Sequence, residues 1–227
     1  LMSLVGKTNT VVEWSVFSNE EYTDPYAEVE LHALVNDPHG HEFRVNAFWR
    51  GGNHWSFRYA SSVEGIHTWA TNANDATDAG LHGQQGEIEI STYSGENSLY
   101  VHGPLFRSDE RTCLEHADGT AFQWLGDTWW MGLAKRLRWP EEFGWLTEDR
   151  KSKGFTLIQI VAGLYPDQPP FDERGENEAG YPWSRVSDDS YELGRPNPSY
   201  WDHADDRIKH LIDSGLVPCL VGCWGYY

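Results

Sequence analysis

The residues that could do chemistry stand mostly in the second half of the 227-residue chain. In FQWLGDTWWMGLAKRL, residues 122–137, one acid, Asp127, follows a short apolar run and precedes Trp129 and Trp130. Further along come Gln159 inside the apolar run FTLIQIVAGL (155–164), Tyr165 just after it, Trp183 in the segment YPW, and Trp224 after VPCLVGC. A carboxylate, an amide and several rings are the groups that hold a sugar, because axial C–H faces stack on rings and hydroxyls need fixed hydrogen-bond partners. Asp127, Trp129, Gln159, Tyr165, Trp183 and Trp224 are therefore the candidate substrate-binding residues, and a carbohydrate is the expected partner.

Each has a plainer reading beside this one. Asp127 fits the N-cap of a helix starting at Thr128. Trp129 and Trp130 are adjacent and on a helix would point about 100° apart, so one faces a ligand and the other a core. Gln159, if buried, needs a hydrogen-bond partner that either the protein or a ligand can supply. Trp224 also fits as a ring closing a core.

The elements that must position these residues follow from periodicity. Phe122 to Gly126 reads as a short apolar strand. Pro140 followed by Glu141 and Glu142 starts a helix, with proline in the first turn and acids at the positive end of the dipole, and Gly154 stops it after Lys153. Residues 155–164 form a continuous apolar run suited to a strand buried on both faces. Ala204, Ile208, Leu211 and Ile212 mark one face of a second helix stopped by Gly215, and VPCLVGCW (217–224) is a third strand. Strand, helix, strand, helix, strand makes two βαβ units in series, which predicts a parallel α/β sheet or the opening of a (β/α)8 barrel. In such folds ligands bind at the carboxyl ends of the strands, where the candidate residues fall. The loop from Tyr165 to Pro198 is far longer than usual and so is expected to be functional or disordered. Tyr181 and Trp183 are its candidate platforms, and Asp172, Glu173, Glu176 and Glu178 are expected to form a solvated face. Asp205, Asp206 and His203 are expected on the outer side of the second helix.

The first half has a different period. VVEWSVF (11–17), AEVELHALV (27–35), HEFRVNAFW (41–49), HWSFRYA (54–60), IHTWATN (66–72) and GEIEIS (86–91) alternate apolar and polar, with NDPHG (36–40) and RGGN (50–53) as turns. Short antiparallel strands at this spacing predict an immunoglobulin-like β-sandwich. Trp49, Trp55 and Trp69 are expected in its core. The expected architecture is thus multi-domain, a β-sandwich over 1–104 followed over 105–227 by the first three βα units of a (β/α)8 TIM barrel. A barrel needs eight strands, so the chain is expected to be the N-terminal part of a longer polypeptide.

Composition narrows the partners. With a formal net charge of −18 and a pI near 4.8, the chain lacks the clustered cations that nucleic acid or an anionic membrane would need. Only five of its 17 basic residues are Lys, a surface chemistry that also suits high salt. No stretch reaches the roughly 18 apolar residues of a membrane span. No export signal opens the chain, although the start, LMSLVGK, reads as trimmed or interior. Cys113, Cys219 and Cys223 are odd in number; along a strand the last two would stand about 13 Å apart, too far for a disulfide. Neither a disulfide framework nor a metal site nor a cofactor is expected, and oligomeric state is open.

The stretches ADGTAFQWLGDTWWMGLAKRL, EDRKSKGFTLIQIVAG and NPSYWDHADDRIKHLIDSGLVPCLVGCWG resemble the start of the apiosidase-like glycoside hydrolases, whose barrel typically opens with a DGTPFFWLGDTAW-like segment. The strands from VVEWSVF to HTWAT resemble the β-sandwich module that often precedes such barrels. The resemblance implies a glycosidase acting on plant or algal polysaccharide or oligosaccharide, with two carboxylates from later strands doing the chemistry, one as acid/base and one as nucleophile in a retaining scheme. That pair is expected after Tyr227. Asp127 matches the first-strand Asp of the family and is carried over as a ligand to a sugar hydroxyl; Trp224 matches an aromatic at the end of the third strand. WWMG departs from the more usual single ring and small residue. The resemblance further implies export, to the periplasm, the cell surface or the medium, with the cytoplasm left open. The alternative, a binding protein that holds sugar without cleaving it, fits the same residues.

Overall fold

The computed structural model describes residues 2–109, 112–165, 168–190 and 192–222. The chain forms two compact units, Leu1–Glu96 and Asn97–Tyr227.

In the first unit the described elements are β1 (Met2–Lys7), β2 (Val12–Phe17), the single helical turn α1 (Pro25–Glu28), β3 (Leu31–Asn36), β4 (Glu42–Asn46), β5 (Phe48–Trp49), β6 (His54–Tyr59), β7 (Gly65–Ala73) and β8 (Gln85–Ser91). They make one five-stranded sheet, β1-β8-β7-β3-β4, and one three-stranded sheet, β2-β6-β5. Alternation drives both: along β2 and β7 every second residue is buried, as a pleated strand with one wet face requires. The segment 41–49, which reads as one strand in the sequence, divides at Ala47, with β4 in the larger sheet and β5 in the smaller. The pairings are antiparallel except that β1, which sequence alternation does not reveal, runs parallel to β8.

Rings bind the two sheets to one core. Trp14 on β2 stacks on Phe57 of β6 at 5.1 Å and leans on Trp69 of β7, in the other sheet, at 5.2 Å. Trp55 and Trp69 are buried and Trp49 packs on the same cluster, as expected from the sequence. Behind Trp69 the neighbouring strand must be bare. Gly86 stands opposite it, and a Cβ there would lie 2.7 Å from Trp69 Cζ2 and 2.4 Å from the Met2 carbonyl oxygen. Gly86→Ala should therefore cost about 1–3 kcal/mol by overpacking, read as a lower urea midpoint for this unit; a loss below 0.5 kcal/mol, on the order of an ordinary surface change, would show that strand and ring can part freely. The long turn before β8 is tied down by buried Asp78, which accepts from Ser18 Oγ at 2.7 Å, Tyr22 Oη at 3.1 Å and the backbone of Asn19 and Gly80.

In the second unit the described elements are α2 (Ser98–His102), β9 (Leu105–Arg107), β10 (Leu114–His116), β11 (Ala121–Phe122), β12 (Gly126–Trp129), α3 (Glu141–Ser152), β13 (Leu157–Val161), β14 (Trp183–Arg185), β15 (Leu193–Pro196), α4 (Pro198–Asp213) and β16 (Val217–Val221). A small antiparallel sheet, β11-β10-β9, precedes a parallel sheet, β12-β13-β16, and β14 and β15 form a hairpin inside the long loop.

One expected strand moves. Phe122–Gly126 is not the first parallel strand: Ala121 and Phe122 belong to the small antiparallel sheet, Trp124 and Leu125 are exposed, and the parallel strand begins at Gly126. The physical reason is the tight approach of β13, since a Cβ on residue 126 would stand 2.9 Å from Leu157 Cδ2. Thr128 is consequently in a strand and starts no helix, so the N-cap reading of Asp127 falls.

The helices lie where periodicity puts them. Glu141 and Glu142 open α3, and Gly154 at φ +78° follows its end; Pro198 opens α4, and Gly215 at φ +82° follows that. Ile158 and Ile160 of β13 share one buried cluster with Trp129, Phe143 of α3, and Ala204 and Leu211 of α4. Both helices therefore cover the same face of the parallel sheet. By alternation, Thr128, Gln159 and Cys219, which stand in one row across the three strands, point to the other face.

Candidate functional site

The carboxyl end of β13 opens into a shallow cleft, lined by Gly163, Tyr165, Gln168, Phe171, Asp172, Tyr181 and Trp183 among others. Its shape begins with a glycine. Gly163 sits at φ +87°, where side chains are disfavoured, and the Trp183 ring lies on its bare backbone, so that a Cβ would meet Trp183 Cζ3 at 2.5 Å. Trp201 of α4 holds that ring edge-on at 5.4 Å and donates its own indole N–H to the Pro182 carbonyl at 3.0 Å. Phe171, at φ +64°, meets Tyr181 edge-on at 5.5 Å and carries the Arg185 guanidinium over its face at 4.4 Å. Tyr165 forms the floor, 3% exposed, with its hydroxyl 2.5 Å from that of fully buried Tyr200. Burial pushes the Tyr165 phenol up to about 12 and Tyr200 higher still, so both stay neutral donors at ordinary pH.

The described part of the long loop is held at several points by α4 and its N-cap Asn197. Asn177 Nδ2 donates to the Tyr200 carbonyl at 2.9 Å, and Asn197 Nδ2 donates to the carbonyls of Ala179 and Tyr181, both at 2.9 Å. Arg207, with no exposed surface, donates from one nitrogen to both oxygens of Glu178 at 2.8 and 2.9 Å. Burial alone would raise the Glu178 carboxyl; Arg207 outweighs it and holds the group below the usual carboxylate range. The expected solvated acidic face is met in part: Glu173 and Glu178 are exposed and Asp172 and Glu176 half-buried, but three of the four are paired, Glu178 with Arg207, Glu176 with Lys135 and Asp172 with Arg174. Arg174 and its backbone N–H hold the Asp172 carboxyl down to about 2, so the one carboxylate that lines the cleft among the described residues is an anion and an acceptor, not an acid.

Of the residues singled out in the sequence, the structure brings Tyr165, Tyr181 and Trp183 together in this cleft. Asp127 lies in the lower half of β12 on the helix-facing side, opposite Ile158. Its carboxylate accepts from Arg150 Nε of α3 at 2.5 Å, from the Thr128 N–H at 2.8 Å and from the Trp129 indole at 3.2 Å. Burial would raise it, but these donors prevail and keep it ionised below its ordinary value. Trp129 is 6% exposed and packs edge-on against Phe143 at 5.1 Å, while Trp130, just past the strand, is 46% exposed. Gln159 is half-buried on the sheet face away from the helices. Trp224 lies outside the described residues. Sequence reading missed Phe171, Trp201 and Arg207. The first is hidden in the turn-like DQPPF, and the other two sit in a helix whose apolar spacing draws attention to its neighbours.

Rings at two heights, a carboxylate acceptor and an amide together can stack on and hydrogen-bond a polar ring with apolar C–H faces.

Comparison with known proteins agrees with the second unit being the informative one. Residues 108–227 match the apiosidase-like catalytic domain, and residues 7–74 match a domain of unknown function, DUF5060. A crystal structure from Bacteroides vulgatus ATCC 8482, provisionally described as a glycoside hydrolase, shares the fold over 97% of this chain, with a TM-score of 0.71 and 19% identity. This chain covers 41% of that one, about two fifths of its length. A family 5 glycoside hydrolase of the same organism is similar over 56% of this chain and 26% of its own, with 24% identity and a TM-score of 0.43. No protein with a curated description matches.

Proposed function

The chain belongs to the apiosidase-like catalytic-domain family, and from that premise we propose that it forms part of a glycoside hydrolase acting on plant or algal polysaccharide or oligosaccharide. The observation that carries the substrate class is the aromatic cleft at the carboxyl end of β13, in the position where α/β folds bind ligands. In this reading the parallel sheet, with α3 and α4 on one face only, opens a (β/α)8 barrel, and the face bearing Thr128, Gln159 and Cys219 is its interior. The first unit is an immunoglobulin-like β-sandwich. Trp183 and Tyr181 stack on the sugar, Asp172 and Gln168 take its hydroxyls, and Tyr165 supports them from below. The acid/base and nucleophile of a retaining mechanism come from later strands of the whole protein, which is exported.

The test is oligosaccharide binding followed by tryptophan fluorescence. Trp183→Ala should weaken binding by about 10- to 100-fold, the 1–3 kcal/mol of a stacked ring in a pocket, with the far-ultraviolet circular dichroism unchanged. Equal affinity in the variant would move the sugar site away from β13.

A second reading, sugar binding without cleavage, is favoured by one observation: among the described residues lining the cleft, Asp172 is the sole carboxylate and is held by Arg174. Release of reducing ends from a bound oligosaccharide by the longest natural form of the protein decides for hydrolysis; binding with no release decides for the second reading.

A further inference from the structure

The turn joining β3 to β4, NDPHGH, reads in sequence only as a hairpin connection, yet it gathers three metal-ligating side chains. Donor atoms of Asp37, His39 and His41 all lie within 4.8 Å of one another. We propose that this turn is a binding site for a late first-row divalent cation, Zn²⁺ being the reference case, held by one carboxylate and two imidazoles.

The argument starts from how firmly Asp37 is placed. Its side chain is 2% exposed, while that of His41 is 71% exposed. One oxygen, Oδ1, accepts from the backbone N–H groups of His39 at 2.9 Å and His41 at 2.8 Å, which fixes the loop around the carboxylate. The other, Oδ2, meets the His41 ring at Nδ1, 3.0 Å away. The backbone closes the same turn twice, from the Asp37 N–H to His41 O and from the Gly40 N–H to Asp37 O, both at 3.0 Å, with Gly40 at φ +83°. Pro38 rests on the bare Gly65 of β7, where a Cβ would come within 2.9 Å of Pro38 Cγ. A buried carboxylate is thus presented by a turn that cannot easily relax, with two surface imidazoles beside it.

Chemistry selects the ion. Two imidazoles and one carboxylate suit Zn²⁺, Ni²⁺ or Cu²⁺, whereas Mg²⁺ and Ca²⁺ take oxygen ligands almost alone. Bonds of about 2.0–2.1 Å set tetrahedral donors about 3.3 Å apart, and Asp37 Oδ2 and His41 Nδ1 stand 3.0 Å apart, within a few tenths of an ångström of that spacing. A donor nitrogen of the exposed His39 lies within 4.8 Å of both, close enough to complete the set. On binding, His41 moves its proton from Nδ1 to Nε2, so Nδ1 exchanges a hydrogen bond to Asp37 for a bond to the metal, and water completes the shell.

The experiment is titration of the whole chain with Zn²⁺ against a chromophoric chelator, repeated on His39→Ala, His41→Ala and the double variant. The chain holds ten His in all, so the difference between proteins is the readout. The expected result is one equivalent in the parent that weakens at least about 10-fold in each single variant and disappears in the double one, with Mg²⁺ failing to compete. His39→Ala, at an exposed position, should match the parent melting temperature without metal, whereas His41→Ala, which takes the partner of Asp37 Oδ2, should melt lower; with Zn²⁺ the parent alone should gain. Unchanged stoichiometry and affinity in the double variant, or binding of Mg²⁺ as tight as Zn²⁺, would overturn the assignment.

Discussion

Replacing Arg207 with alanine should remove about 2–5 kcal/mol of stability, the typical cost of emptying a large, fully buried side-chain site. The guanidinium has no exposed surface, donates to both oxygens of Glu178 and to the His203 carbonyl at 3.2 Å, and lies 5.6 Å from the centre of the Trp139 ring. Its truncation leaves a cavity under α4 and takes from the exposed Glu178 its cationic partner. Urea denaturation should show the loss, and Glu178→Gln, which keeps the shape and leaves one weak acceptor, should cost less than Arg207→Ala. A loss below about 1 kcal/mol in Arg207→Ala would mean that the pair is an ordinary surface contact. The pH dependence has a definite sign. Because the folded carboxyl of Glu178 titrates below its unfolded value, the stabilisation is fully present above the ordinary carboxylate range and is lost as pH falls through the depressed folded value. The gap between parent and variant should therefore be widest at neutral pH and narrow under acid.

How much of this was legible beforehand depends on whether the signal was local. The strands of the first unit are readable because alternation is a period-two signal and Trp14, Trp55 and Trp69 fall on its buried phase. α3 and α4 are readable from proline at their starts and Gly154 and Gly215 past their ends. The first parallel strand was misplaced because FQWLG is apolar, and an apolar run says nothing of whether a neighbour covers it; Trp124 and Leu125 are exposed instead. Asp127 shows the same limit. LGDTWW announces an acid beside rings, but the cation that claims the acid is Arg150, 23 residues further on and on a helix whose surface reads as routine. The long loop was recognisable as unusual from its length alone. That its acids would be paired depended on Lys135 and Arg207, which approach it from elsewhere in the chain, and on Arg174 within it. Tyr165 and Trp183 could be picked out as rings near a strand end; what joins them is the bend at Gly163, which a sequence displays only as one glycine among 22.

That glycine gives the second large effect. Gly163→Val should destabilise the second unit by about 2–6 kcal/mol, combining 1–3 kcal/mol for a β-branched residue forced to φ +87° with a similar penalty for overpacking against Trp183. The two parts can be separated. Gly163→Val combined with Trp183→Ala removes the ring that the new side chain strikes, so the double variant should recover the overpacking share and keep the backbone share. If instead the double variant is no more stable than the sum of the single changes predicts, ring and glycine are not in contact as described. Binding divides differently. Gly163→Val displaces Trp183 without deleting it, so oligosaccharide affinity should fall as far as in Trp183→Ala even under conditions where the fold is intact. In the double variant there is no platform left to displace, and affinity should fall no further. A stability change that recovers while binding does not would locate the role of Gly163 in seating the ring: a residue with no side chain sets where the sugar-stacking surface stands.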